Sequence, residues 1–220
     1  MNVYFESSKG LTEPKNVSFW SQKEKPLALT TDYEVPTWSQ IYDMLLSQAQ
    51  KIRSQRFKPD LIVGIARGGL VPARILTDLL ETQELSFVQI KFYNDINRKD
   101  NHPTLIQSLT TQTTGKSTLL VDDIADTGES LKLASTYLQT QGAFEVKTAT
   151  IYQKPQSKIT PDFSEKQTSA WVVFPWDTKE TLRKIAQKHQ GKRSLNLEVA
   201  KLVKAGLSKQ IAEKLLKDFQ

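Results

Sequence analysis

Two aliphatic runs, residues 61–66 (LIVGIA) and 117–122 (STLLVD), leave this chain little freedom of fold. A strand with one wet face alternates apolar and polar side chains. A strand that is apolar at successive positions is buried on both faces, the mark of a parallel sheet covered by helices. Residues 85–93 and 146–152 read as further strands, and 171–174 (WVVF) as a short fifth. Helical signals lie between them. After Pro36, Ile41, Leu45, Ala49 and Ile52 recur at steps of four, four and three, which predicts a helix from Thr37 that stops before Pro59. Residues 70–81 read as a helix with Pro72 in its first turn, and 130–141 as one stopped by Gly142. The order strand–helix–strand implies an α/β fold: an open, mainly parallel twisted sheet with helices on both faces.

Residues 1–35 show neither periodicity and are read as an N-terminal extension; 36–180 form the main domain. Residues 181–220 are a basic helical segment. Within it a helix over 178–189 closes at Gly191, and helices over 195–205 and 208–219 flank Gly206 as a hairpin that docks on the domain or pairs with a second chain.

Composition excludes several classes. There is no cysteine, so neither a disulfide scaffold nor a thiolate-held metal is available. His102 and His189 have no metal-ligand spacing. The longest apolar run is too short to cross a bilayer and the first residues have no apolar core, so a cytoplasmic protein without membrane contact is expected. The net charge of +6 is concentrated in residues 179–220, where eleven Lys/Arg face four Asp/Glu, a net of +7. A solvated helical face explains such a tail without a nucleic-acid partner. Gly115-Lys116-Ser117 is not a nucleotide-binding loop, because position 110 is Thr and Ser117 opens a strand.

Residues 119–130 (LLVDDIADTGES) carry the chemistry. An aliphatic strand delivers Asp122 and Asp123 to its carboxyl end, where open α/β sheets bind ligands. Asp126, Thr127, Gly128, Glu129 and Ser130 then lead into a helix, whose first N–H groups form a nest for an anion. Gly128 lets the backbone approach a phosphate, and Thr127 and Ser130 add hydroxyls. The paired carboxylates suit ribose hydroxyls, a magnesium ion, or both. Residues 94–116 are polar and patternless, a loop long enough to be functional or mobile.

Residues 121–130 resemble the signature of the type I phosphoribosyltransferases, which move ribose-5-phosphate from phosphoribosyl pyrophosphate to a nitrogenous base. Residues 58–76 resemble the family's first strand and pyrophosphate loop, with Ala66, Arg67, Gly68 and Gly69 in the loop and often a cis peptide there. Residues 151–155 (IYQKP) and 171–177 (WVVFPWD) resemble the base pocket of the 6-oxopurine branch.

The resemblance implies a purine salvage enzyme acting on hypoxanthine, guanine or xanthine, dependent on Mg2+ and working as a homodimer or higher oligomer. It places Asp122 and Asp123 at the ribose hydroxyls and the metal. Asp126 becomes the acid/base near the purine. Thr127 to Ser130 hold the 5′-phosphate largely by backbone N–H, with the Glu129 side chain turned away, and Ala125 and Asp126 also contact phosphoribosyl pyrophosphate. Lys154 donates to O6 of the base, Trp171 stacks on it and Val172 reads its edge. Asp177 is matched to a second magnesium through water, and would serve equally as a helix cap. Tyr93 opens the family's mobile catalytic loop. The alternative is a regulator that senses phosphoribosyl pyrophosphate or a nucleotide and binds nucleic acid through the basic C-terminal helices.

Overall fold

The computed structural model describes residues 32–93, 102–189 and 192–219. Its centre is a six-stranded sheet of order β4-β3-β2-β5-β6-β7: β2 (Leu61–Ala66), β3 (Glu84–Tyr93), β4 (His102–Gln107), β5 (Ser117–Ala125), β6 (Glu145–Gln153) and β7 (Phe163–Gln167). All pairings are parallel except β3 with β4, which is antiparallel.

Helix α1 (Trp38–Ser54) starts on a capping box: Thr37 accepts from the Gln40 N–H and the Gln40 side chain accepts from the Thr37 N–H. It buries Ile41, Leu45, Ala49 and Ile52. With α2 (Leu70–Leu79) it covers one sheet face, against Ile62, Leu119, Val121, Ala149 and Ile151. Helix α3 (Glu129–Thr140) covers the other, placing Leu131, Ala134 and Leu138 on Leu61, Val63, Val88 and Leu120. The aliphatic strands are thus apolar on both sides because both sides are roofed.

The C-terminal helices α4 (Thr178–Lys188), α5 (Lys192–Lys204) and α6 (Lys209–Leu216) build a third cluster from Val173, Leu182, Ile185, Leu202, Leu207 and Ala212. Two short strands belong with it: β1 (Tyr33–Glu34) and β8 (Trp171–Val172), paired in parallel as a separate two-stranded sheet. No helix among the described residues is long and apolar enough to cross a membrane.

Four expectations need correction. The fifth strand is only Trp171–Val172 and lies outside the main sheet, because its partner is β1. That partner falls in the stretch read as an N-terminal extension without strand periodicity. The sixth position of the sheet is taken by β7, whose sequence FSEKQ shows no apolar run because only Phe163 is buried on this edge. The stretch read as one loop contains β4, an alternating strand that turns Pro103 and Leu105 inward along β3. Residues 94–101 of that stretch lie outside the described residues.

Candidate active site

The parallel strands β2, β5 and β6 end on one edge of the sheet, and each passes into a segment with chemistry. Beyond β5, Asp126 and Thr127 are exposed and Gly128 is buried at φ +81°, a left-handed conformation that favours glycine. Gly128 stands at the N-cap of α3 and no side chain caps the helix through it. Thr127 Oγ1 accepts from the Glu129 N–H at 3.3 Å. A Cβ on Gly128 would lie 2.8 Å from the Ile159 nitrogen, because the chain after β6 wraps beneath this turn. That wrap is fastened by the Lys158 N–H to Thr127 O (3.0 Å) and by Gln156 Nε2 to Asp126 Oδ1 (3.1 Å). The Glu129 carboxylate pairs with Lys158 Nζ at 3.0 Å.

A cavity of about 450 Å³ opens over the turn, lined by Phe92, Asp122, Asp123, Ile124, Ala125, Asp126, Thr127, Gly128, Ser130 and Leu131. Burial pushes the Asp122 carboxyl well above its ordinary range, and the neighbouring Asp123 charge adds to it. Burial, then the Asp177 carboxylate, raise Asp123 to about 7. Trp176 Nε1 donates to Asp123 Oδ2 at 3.3 Å, and the Trp176 ring stacks on Phe174.

The segment after β2 closes against these acids. The Ala66–Arg67 peptide is cis. A Cβ on Gly68 would meet Asp123 Oδ2 at 2.1 Å, and one on Gly69 would meet Val121 O at 2.3 Å. Arg67 pairs with Glu180 of α4 at 2.6 Å. Asp177 occupies the N-cap of α4 but its side chain makes no capping bond. Burial raises its pKa, the Glu180 charge adds to that, and the Arg67 and Lys184 charges oppose it.

Lys154 follows β6 and is only 7 % exposed. Its ammonium donates to Ala170 O, one residue before β8. Burial lowers its pKa, against the pull of the Asp126 and Glu34 charges. Trp171 is 50 % exposed and its ring is open to a partner. The strand ends therefore bring together Asp122, Asp123, Ala125, Asp126, Thr127, Gly128 and Ser130 around the cavity, with Gly68 against Asp123 and Glu129 outside the lining. Lys154, Trp171 and Val172 gather separately at β8, outside the cavity lining. Tyr93 ends β3, and its side chain lies outside the described residues.

Phe92, Gln156 and Trp176 were not singled out from sequence. Phe92, 45 % exposed and lining the cavity, is adjacent to a residue that was. Trp176 lies within the quoted stretch 171–177 but its contact with Asp123 does not show there, and Gln156, which reaches Asp126 through folding, leaves no local signal.

Residues 37–181 match the phosphoribosyl transferase domain. A xanthine-guanine phosphoribosyltransferase of Cereibacter sphaeroides is 32 % identical over 150 residues, 64 % of this chain and 84 % of the relative. One of Nitratidesulfovibrio vulgaris is 32 % identical over 120 residues, 54 % of this chain and 69 % of the relative. The crystal structure of a purine phosphoribosyltransferase from Pyrococcus horikoshii superposes with a TM-score of 0.60 at 34 % identity, covering 66 % of this chain and 93 % of that one.

Proposed function

This chain belongs to the purine branch of the phosphoribosyl transferase family, and we propose that it transfers ribose-5-phosphate from phosphoribosyl pyrophosphate to a ring nitrogen of hypoxanthine, guanine or xanthine in the cytoplasm, as a homodimer or higher homo-oligomer. The observation that carries this reading is the cavity that sets the buried acid pair Asp122–Asp123 beside the Gly128 turn and the start of α3. The turn presents backbone N–H groups to a 5′-phosphate, with Thr127 and Ser130 hydroxyls at its rim. The acids face the ribose hydroxyls.

In the reaction the bond from the anomeric carbon to the pyrophosphate oxygen breaks and a bond from the purine nitrogen to that carbon forms. Asp126, exposed at the mouth and oriented by Gln156, takes the proton that the purine gives up. Residues 66–69 receive the departing pyrophosphate on their backbone. Lys154 donates to the 6-oxo group, which a 6-amino group could not accept. Trp171 stacks on the base and Val172 lies along its edge.

The donor set also suits Mg2+. Asp122 and Asp123 are adjacent carboxylates whose mutual burial a cation would relieve. No group of three His, Cys, Asp or Glu could hold a metal alone among the described residues. Mg2+ bound by one or two carboxylates is completed by water and substrate phosphates. Bound there, it would neutralise charge on the leaving pyrophosphate, and Asp177 would hold a second magnesium through water.

Steady-state kinetics with hypoxanthine, guanine, xanthine, adenine and uracil test the reading, with phosphoribosyl pyrophosphate and Mg2+ present. Pyrophosphate release with the 6-oxopurines and little with the other two is expected. No release with any base, together with tight salt-sensitive DNA binding, would replace the enzyme by a regulator.

A further inference from the structure

The strand that carries Trp171 and Val172 is not paired with the main sheet, although Val172 packs against the sheet's apolar cluster. Among the described residues its only strand partner is β1, in the register Tyr33↔Trp171 and Glu34↔Val172. The Trp171 N–H donates to Asp32 O and the Val173 N–H to Glu34 O, each at 2.8 Å.

Strand β1 is itself held from two sides by its two side chains. Glu34 Oε1 accepts from Tyr152 Oη of β6 at 2.8 Å and from Lys166 Nζ of β7 at 2.6 Å. Tyr33 Oη donates to Glu198 Oε2 of α5 at 2.9 Å, and Lys201 fixes the other oxygen of Glu198 at 2.6 Å. Below, Val173 is buried among Leu182, Leu202, Leu207 and Ala212, and a Cβ on Gly206 would lie 3.2 Å from Val35 O. β1, α5 and α6 all lie outside the matched family domain, residues 37–181. They meet at β8: β1 pairs with it, and α5 and α6 pack on Val173, the residue that follows it.

We infer that β1, α5 and α6 form a clamp that positions β8 for the base, with Glu34 and Glu198 as its positioning residues. Glu34 ties the clamp to the main sheet; Glu198 ties it to the C-terminal helices. The inference rests on the reading of Lys154, Trp171 and Val172 as base contacts. Neither glutamate touches substrate. Each acts by fixing the strand on which Trp171 stands, so its loss is felt in base affinity before anything else. The acid pair stands on β5 and the phosphate turn follows it, whereas Glu34 bonds to β6 and β7 and Glu198 to Tyr33 and Lys201.

The full-length protein tests this with Glu34→Ala, Glu34→Gln, Tyr33→Phe and Glu198→Ala. In Glu34→Ala the KM for the 6-oxopurine should rise about tenfold, while KM for phosphoribosyl pyrophosphate stays within about twofold. Glu34→Gln keeps an acceptor for Tyr152 and should recover most of the loss. Tyr33→Phe and Glu198→Ala share the loss of the Tyr33–Glu198 bond, and Glu198→Ala also frees Lys201, so the double variant should be no worse than Glu198→Ala alone. Amide hydrogen exchange gives a readout independent of turnover: Trp171 and Val173 should exchange faster in Glu34→Ala and Tyr33→Phe, with β5 unchanged. Unaltered exchange at those amides, or both KM values rising in step, would overturn the clamp. A wild-type protein that turns over no base but whose Trp171 and Val173 amides respond to these substitutions would overturn the base-site reading and leave the clamp standing.

Discussion

At Gly68 there is no room for one methyl group. A Cβ there would sit 2.1 Å from Asp123 Oδ2 and 2.4 Å from its Cγ, so the carboxylate must swing away or the loop must lift. Asp123 has little freedom to swing, being 7 % exposed and holding the Trp176 indole. Gly68→Ala should therefore misplace the acid and cost about 10²-fold in kcat, the scale of an ångström-sized error in a reacting constellation. Circular dichroism should stay native, and pyrophosphate-release kinetics would show the loss. Lys154 invites a different substitution. One of its three N–H groups is spent on Ala170 O, which aims the ammonium along β8 and leaves two donors for a 6-oxo group. Lys154→Ala should lower kcat/KM for hypoxanthine and guanine and narrow their advantage over adenine, measured by competing the bases. An unchanged preference would remove Lys154 from recognition.

Among the elements, β1 has the most consequence for its length. Burial alone would push the Glu34 carboxyl up, yet the hydrogen bonds from Lys166 and Tyr152 outweigh it and hold the pKa below its ordinary value. The unfolded chain then binds the proton at a higher pH than the folded chain does. Glu34 contributes stability that is present above the unfolded value and lost as pH falls through the folded one. The melting-temperature advantage of the wild type over Glu34→Gln should shrink as pH falls from about 5 to about 3. A gap constant across that range would deny Glu34 its charged bonds. No local reading of residues 33–34 reveals this role. Helix α1 was legible because its four periodic apolar residues are four of the five it buries, Gln48 being the fifth, and β2 because it is buried at five successive positions. β1 and β8 are two residues each, too short for any period, and exist only because the fold brings residues 33 and 171 together. β7 is polar because it is an edge. The site divides the same way. Residues 122–130 are contiguous, so one stretch of sequence displays them, whereas Gln156, Trp176 and Glu34 enter through long-range register.

Over the whole molecule, the three apolar clusters divide the labour. Two sandwich the sheet and hold the strand ends that build the phosphate turn and the acid pair; the third, under β1 and β8, holds the base side. The tail that builds the third is basic by composition, but all four of its acids are taken up locally. Glu180 pairs with Lys184, Glu198 with Lys201, Glu213 with Lys209 and Asp218 with Lys179. Such exposed pairs are individually worth little, so apolar burial holds the helices down. Ending the chain after His189 would remove Leu202, Leu207 and Ala212 and uncover Val173 and Leu182, which are almost fully buried. Each large side chain contributes about 1.5–3 kcal/mol when buried, so the third cluster should not survive. The two clusters of the sheet lose nothing directly. The truncated protein should therefore melt in two steps, with an early loss around α4, β1 and β8 and a later one for the sheet. Calorimetric titration should find phosphoribosyl pyrophosphate binding within a few-fold of the full chain while 6-oxopurine use collapses. If one cooperative transition remains and both substrates weaken together, the base side and the phosphate side are a single unit, and the C-terminal helices act on the whole fold rather than on the strand they cover.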